Sequence, residues 1–410
     1  MKEFPPDGET AVLQPVWARE DAFPPARGGW GWVDSRGKAH PCADAASLLA
    51  ALRDDPSCAA VVVWSPEHPH MLLPEEDPLT ADAVKVARRR DAKAALEEAV
   101  LRLRWFAALI GVAVVLTIYP LLSGHAGAPG LPSRLLRELL RSHPLGIALL
   151  MFLIFAFIPW YQSRKRHAEC SREGETDTVE SLRALRFETW LDWQKAPVTR
   201  LVMGLMAAVG LCQLLPGDSV QAAALVSQRV IAGEWWRLFT APFLHGNPLH
   251  FLMNGAALLY LGRRMEVFAR WPHLPLVFLL AAWSGGIASV TFLRGNSVGA
   301  SGGLMGWLGF LLVFESLHRH LVPRSATRRL LAGLLLTLAI GIAGYRYIDN
   351  AAHIGGVLIG MAYALIVFPK SESSARPRMT WPDLIAGGAA LLAMCGAAAF
   401  TVWRILGARV

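Results

Sequence analysis

The sequence predicts an all-α polytopic membrane protein. A six-helix core carries two extra N-terminal and one extra C-terminal transmembrane helices, and a small soluble α/β module precedes them. Three observations point there. Of 410 residues, 54% are apolar and only 18% charged, whereas soluble proteins run about 45–50% apolar and about 25% charged. Apolar stretches long enough, or nearly so, to cross about 30 Å of hydrocarbon recur at 105–122, 145–161, 198–215, 249–262, 274–293, 300–317, 330–346, 350–368 and 384–405. The character of the chain also changes abruptly after Arg104.

Residues 1–104 read as the soluble module and a helix. Trp30 to Val33, the turn-like Ser35-Arg36-Gly37-Lys38, an Ala/Leu helix near 43–53 and the β-type run Ala59–Trp64 make a small α/β unit. Thr80 is placed to cap a long charged helix, 81–104, rich in Arg88, Arg89, Arg90 and Lys93. His40, Cys42, Cys58, His68 and His70 fit no standard metal-ligand spacing. The five cysteines are scattered without a CxxC pair, so neither a disulfide framework nor a zinc ribbon is expected. Met1 to Thr10 is polar and contains proline, and no cleavable signal peptide is expected.

Two leading helices, 105–161, are smoothly apolar; the linker 162–197 separates them from the core, 198–368. A second linker and one trailing helix fill 369–410. Small and polar residues interrupt the core helices, as in a bundle interior rather than a lone anchor. The inner segments 88–104, 163–200, 263–273, 318–329 and 369–382 hold most of the flanking Lys and Arg when the N-terminus is inside. That orientation accounts for the formal charge of +8 without nucleic acid.

Polar groups in membrane helices are costly and are functional hypotheses by default. His250 and Asn254 in the fourth stretch, Ser301 in the sixth and His353 in the eighth stand out. With the N-terminus inside, those three helices all descend from the outer face, and each candidate lies close to its helix start. A shared level near that face follows. Gly299, Gly302, Gly303, Gly306 and Gly309 place small residues along the Ser301 helix, and Gly356 and Gly360 form a GxxxG below His353. Such stripes let helix backbones approach closely in lipid.

The chemistry that fits is nucleophilic: a serine hydroxyl is inert until a base takes its proton, and imidazole titrates in the right range. The nearest carboxylate to His353 is Asp349, one turn up, so a Ser301/His353 dyad is the economical reading. His250 and Asn254, at i and i+4 on one helix face, and the Ser301 backbone N–H are candidate oxyanion donors. Gly299-Ala300-Ser301-Gly302-Gly303 also matches G-x-S-x-G. That elbow needs a preceding strand in a soluble sheet, and the flanks here are membrane segments.

With those residues in view, the chain resembles the rhomboid family of intramembrane serine proteases. The likeness runs over Glu234-Trp235-Trp236-Arg237-Leu238, Phe243-Leu244-His245-Gly246, the pair His250–Asn254, and Gly262 with Glu266. It continues through Gly299-Ala300-Ser301-Gly302 and Ala352-His353-Ile354-Gly355-Gly356 with Gly360. It covers roughly 198–368, under half of the chain. The resemblance implies a six-helix rhomboid core open to the outer face, with Ser301 as nucleophile, His353 as base and acid, and His250 and Asn254, beside Gly299, at the oxyanion. It implies that loop 216–248 is partly membrane-embedded and that Trp236–Arg237 brace the fold, with Arg237 and Glu266 as matching partners and His245 stabilising the loop. Gly302, Gly356 and Gly360 are structural positions near the site. Met305 departs from the aromatic that some members carry one turn after the nucleophile, and its thioether is expected to alter imidazole positioning.

The implied substrates are single-span or multi-span membrane proteins, cleaved near the outer face of the lipid bilayer without cofactor or metal. The expected location is a bacterial inner membrane with the N-terminus cytoplasmic. The partner of the N-terminal module is not specified. Blander readings compete: a helix-packing serine bonded to its own i−4 carbonyl, a His245/His250/His353 metal or haem site, and a transporter with broken helices. A catalytically silent rhomboid-like protein that binds membrane clients is the main alternative function. His273, His318 and His320 are expected to be solvated in inner loops, and His125 and His143 to lie in loops.

Overall fold

A computed structural model describes residues 14–54, 60–125, 131–171, 175–215, 217–293, 295–345 and 347–407. Its contacts divide the chain into two compact units. One comprises residues 20–182 and 337–347, the other 1–19, 183–336 and 348–410.

In the first unit, strands β1 (Trp30–Asp34), β2 (Ala39–Cys42) and β3 (Ala60–Trp64) form an antiparallel sheet in the order β2-β1-β3. Asp34 fixes the β1–β2 turn, its Oδ1 accepting from the amides of Arg36 and Lys38 at 2.9 Å each. Helix α1 (Ala45–Asp54) begins with a reciprocal cap: the Ser47 amide donates to Asp44 Oδ1, and the Asp44 amide to Ser47 Oγ. Leu48 and Leu52 then seal the module core with Ala60 and Val63. Cys58 lies outside the described residues.

The charged helix and the first apolar stretch are one continuous helix, α2 (Pro78–His125). Its start corrects the expectation for Thr80. Pro78 takes the first helical position and the Asp77 carboxylate accepts from the Leu79 amide at 2.9 Å. Thr80 is buried instead and donates its hydroxyl to the Pro74 carbonyl at 2.7 Å. At about 1.5 Å per residue α2 extends roughly 70 Å, more than twice the hydrocarbon thickness, so only its apolar half needs lipid. After α3 (Leu131–Arg141), a second apolar run returns through α4 (His143–Phe152), a π turn and α5 (Ile158–Ser171). Thr117 and Ser142 hydroxyls meet at 2.9 Å, and Arg166 pairs with Asp91 at 2.7 Å, tying this hairpin at both ends. His125 and His143 thus end and begin helices.

The second unit contains the candidate site. Helix α6 (Glu175–Trp193) enters it, followed by α7 (Pro197–Gln213). A loop region follows with short helices α8 (Ser219–Ala223), α9 (Ser227–Ile231) and α10 (Arg237–Thr240), and a two-residue strand β4 (Leu225–Val226). Then come α11 (Pro248–Phe268), α12 (His273–Phe292), strand β5 (Asn296–Ser297), α13 (Ser301–Leu317), α14 (Arg324–Ala343), α15 (Asn350–Val367) and α16 (Trp381–Gly407). The division between the units passes through α14.

Among the described residues, six helical segments are long and apolar enough to cross a membrane: α2, the α4–α5 run, α12, α14, α15 and α16. The bent pair α6–α7 adds a seventh if counted as one span. The expected core helix α13 is apolar but shorter, and α11 carries His250, Asn254, Arg263, Arg264 and Glu266. The protein is an integral membrane protein.

Buried charges hold the end of this unit remote from the candidate site. Arg264 on α11 donates to both oxygens of Glu315 on α13, at 2.5 and 3.0 Å, and neither side chain is exposed. Thr327 on α14 donates to the same carboxylate at 2.8 Å. Glu266 accepts from the amides of Val198 and Thr199 and from the Thr199 hydroxyl, capping α7 from a neighbouring helix. Trp17 is buried, donates its indole N–H to the Leu321 carbonyl at 2.9 Å and meets Phe187 edge-on; Arg186 holds the carbonyls of Trp17 and Arg19.

Two expectations fail at this end. His273 is 1% and His318 0% exposed, so neither is a solvated loop residue. His273 Nδ1 lies 2.7 Å from the Tyr363 hydroxyl and its Nε2 lies 3.6 Å from Asp383, while His318 stacks on Phe314. The partners of His273 come from α15 and α16, distant in sequence.

Candidate active site

The site is built from the first two turns of α11 and the first turns of α13 and α15. Asn247 starts α11, its Oδ1 accepting from the His250 amide at 2.8 Å, and Pro248 follows at the first helical position. That start fixes His250 in the first turn and Asn254 in the second. Asp349 starts α15 in the same way, accepting from the Ala352 amide at 2.9 Å and placing His353 in the first turn. Ser301 is the first residue of α13.

The chain reaches Ser301 through a strained approach. Gly299 has φ +121°, a conformation side chains disfavour. Its amide donates to the Ala241 carbonyl at 3.0 Å, and β5 pairs with β4 just before it. A Cβ at Gly299 would sit 2.8 Å from His250 Nε2 and 3.3 Å from Asn254 Nδ2. Both donors therefore converge beside the backbone two residues before Ser301. Asn254 is 7% exposed, and its Nδ2 has no hydrogen-bond partner among the described residues. A buried donor without an acceptor is costly.

Glycine brings α13 and α15 together. A Cβ at Gly356 would lie 2.1 Å from the Gly302 carbonyl oxygen, and one at Gly360 would lie 2.0 Å from that of Gly306. Neither position admits a side chain without moving backbone. Above that contact a Cβ at Gly302 would sit 3.6 Å from the Ala352 carbonyl oxygen. Ser301 and His353 adjoin these two neighbouring residues. Among the described residues no hydrogen bond joins the Ser301 and His353 side chains; such bonds are commonly long before substrate binds. The helix-packing reading of Ser301 has no support, because its i−4 residue precedes the helix. Met305 is buried one turn below Ser301.

The loop around the site is held from three sides. Arg237 is fully buried and donates to the Ala224 carbonyl at 2.7 Å and the Gln221 carbonyl at 3.3 Å, and it pairs with Glu234. The Trp236 ring has the Arg237 guanidinium 4.4 Å from its centre and that of Arg404, on α16, at 4.8 Å. Arg237 and Glu266 are therefore not partners of one another: each braces backbone in its own region, one the loop and the other the start of α7. His245 is buried, edge-on to His250 and Phe251 at 5.2 Å. Gln213 brackets its backbone, accepting from the amide at 2.9 Å and donating to the carbonyl at 3.1 Å. Sequence reasoning missed Gln213, Asn247 and Arg404; a lone polar residue ending an apolar helix was the available signal for the first.

Helical spans with polar side chains gathered in the opening turns of three helices define an integral membrane protein with a candidate serine–histidine centre. Residues 232–370 match the family model for the rhomboid domain. RHOMBOID-like protein 6, mitochondrial, of Arabidopsis thaliana is 36% identical over 155 residues, 37% of this chain and 50% of that protein. Rhomboid protease GluP of Bacillus subtilis is 31% identical over 199 residues, 47% of this chain and 39% of that protein. Inactive rhomboid protein 1 of Rattus norvegicus is 32% identical over 142 residues, 34% of this chain and 16% of that protein. The chain thus spans half or less of each of these relatives. It carries a rhomboid domain.

Proposed function

We propose that the protein is an intramembrane serine endopeptidase that cleaves membrane-protein substrates near the outer membrane face. The observation that carries this reading is the convergence of His250 and the unpaired Asn254 Nδ2 beside Gly299, at the N-terminus of the helix that Ser301 begins. Donors gathered next to a serine fit an oxyanion better than a packing role. The likeness to Rhomboid protease GluP supports the same reaction class.

In this reading Ser301 Oγ attacks the scissile carbonyl carbon as its proton passes to His353. The carbonyl π pair moves onto oxygen, which accepts hydrogen bonds from Asn254, His250 and the Ser301 amide. Collapse breaks the C–N bond, and the departing amine takes the proton from His353. Water then repeats the sequence on the acyl-enzyme, regenerating Ser301. No cofactor or metal enters these steps.

Access from the outer face follows from the Lys and Arg distribution with the N-terminus cytoplasmic, and a bacterial inner membrane is the proposed location. The single-span or multi-span substrates would unwind locally to present a peptide bond to the site. The likeness to Inactive rhomboid protein 1 favours a second reading, client binding without cleavage. Incubating a labelled single-span substrate with wild type and Ser301→Ala separates the two. Cleavage by wild type alone is expected. Equal cleavage by both, or by neither across a substrate panel, overturns the protease.

A further inference from the structure

Half of the Asp349 carboxylate is unused by the fold. Its Oδ1 caps α15 through the Ala352 amide, and its carbonyl accepts from the His353 amide at 3.2 Å. Oδ2 is enclosed and accepts no hydrogen bond among the described residues. A cap does not need that second oxygen or its charge, since Ser and Asn cap helices about as well as Asp. Burying a carboxylate oxygen without a donor is costly, so the charge calls for a role elsewhere.

His353 is one turn along the same helix. A cation there lies against the positive end of the helix dipole. Asp349 stands at the start of the same helix, four residues before His353, the spacing at which helical side chains are neighbours.

We infer that Asp349 is a positioning residue whose unpaired Oδ2 supplies the counter-charge for the His353 imidazolium formed when Ser301 gives up its proton. The inference rests on the proposed role of His353 as base. Asp349 neither receives that proton nor touches the substrate. Serine and histidine remain the reacting pair, and the carboxylate lowers the free energy of the charged intermediate.

The test uses the full chain in detergent, labelled with a fluorophosphonate probe and assayed on a single-span substrate. Asp349→Asn and Asp349→Ser keep a cap and remove the charge. Both should retain the wild-type melting temperature, while the labelling rate and kcat fall about tenfold, the effect of one pKa unit of differential stabilisation, with KM unchanged. Labelling of either variant at the wild-type rate overturns the inference. So does a joint loss of melting temperature and activity in both, with KM raised, which is the mark of a structural cap. Wild type that does not label at all refutes the protease reading and takes this inference with it. The two failures are thus read from different proteins.

Discussion

Asn254 shows how a single side chain can be legible in sequence while its purpose is not. The i, i+4 spacing from His250 placed both on one helix face. Only the structure adds that Nδ2 is enclosed, without a partner among the described residues, and close to Gly299. Asn254→Ala is expected to lower kcat by about 10²–10³, the usual loss for one oxyanion donor, with folding intact; single-turnover cleavage at the wild-type rate would remove it from that role. Glu315 is the opposite case, a buried charge that sequence reading passed over because its partner Arg264 lies 51 residues away. Glu315→Ala leaves the Arg264 guanidinium buried without its main counter-ion. Such a loss costs about 3–5 kcal/mol, which a denaturation midpoint in detergent would register. His273 was misread for a related reason: Arg270 nearby suggested an inner loop, but Tyr363 and Asp383 enclose it from two other helices.

Among the elements, α13 and α15 were the easiest to foresee, because glycines at helical spacing announce close packing. The structure specifies how close. The Gly356 and Gly360 positions each face a carbonyl oxygen of α13 at about 2 Å from where a Cβ would stand. Gly356→Val must therefore displace backbone that also carries Ser301. Overpacking of this kind costs about 1–3 kcal/mol or more, and both melting temperature and labelling of Ser301 should drop. A Gly356→Val protein of unaltered stability and activity would contradict the packing account. The continuity of α2 was not legible, since composition shifts from charged to apolar at Arg104 while the backbone runs on unbroken. Nor was the capping of α7. Ala196 offers no side-chain cap there, and Glu266 supplies one across the bundle. A tertiary cap leaves no local signature.

For the molecule as a whole, composition and apolar segments gave the membrane class, and ordered motifs gave the rhomboid resemblance that residues 232–370 carry. The loop that frames the site was harder to read. Its bracing uses Arg404 from the trailing helix, Gln213 from α7 and the β4–β5 pairing, none of them adjacent to Trp236 or His245 in sequence. The C-terminal helix is thus part of the frame of the site. The central claim is that Ser301 is an activated nucleophile, and fluorophosphonate labelling of the 410-residue chain tests it most directly. Wild type should label, while Ser301→Ala and His353→Ala should not, because an unassisted serine is a poor nucleophile. Equal labelling of His353→Ala would mean another base, and folded wild type that stays unlabelled would contradict the account and leave a client-binding protein in its place.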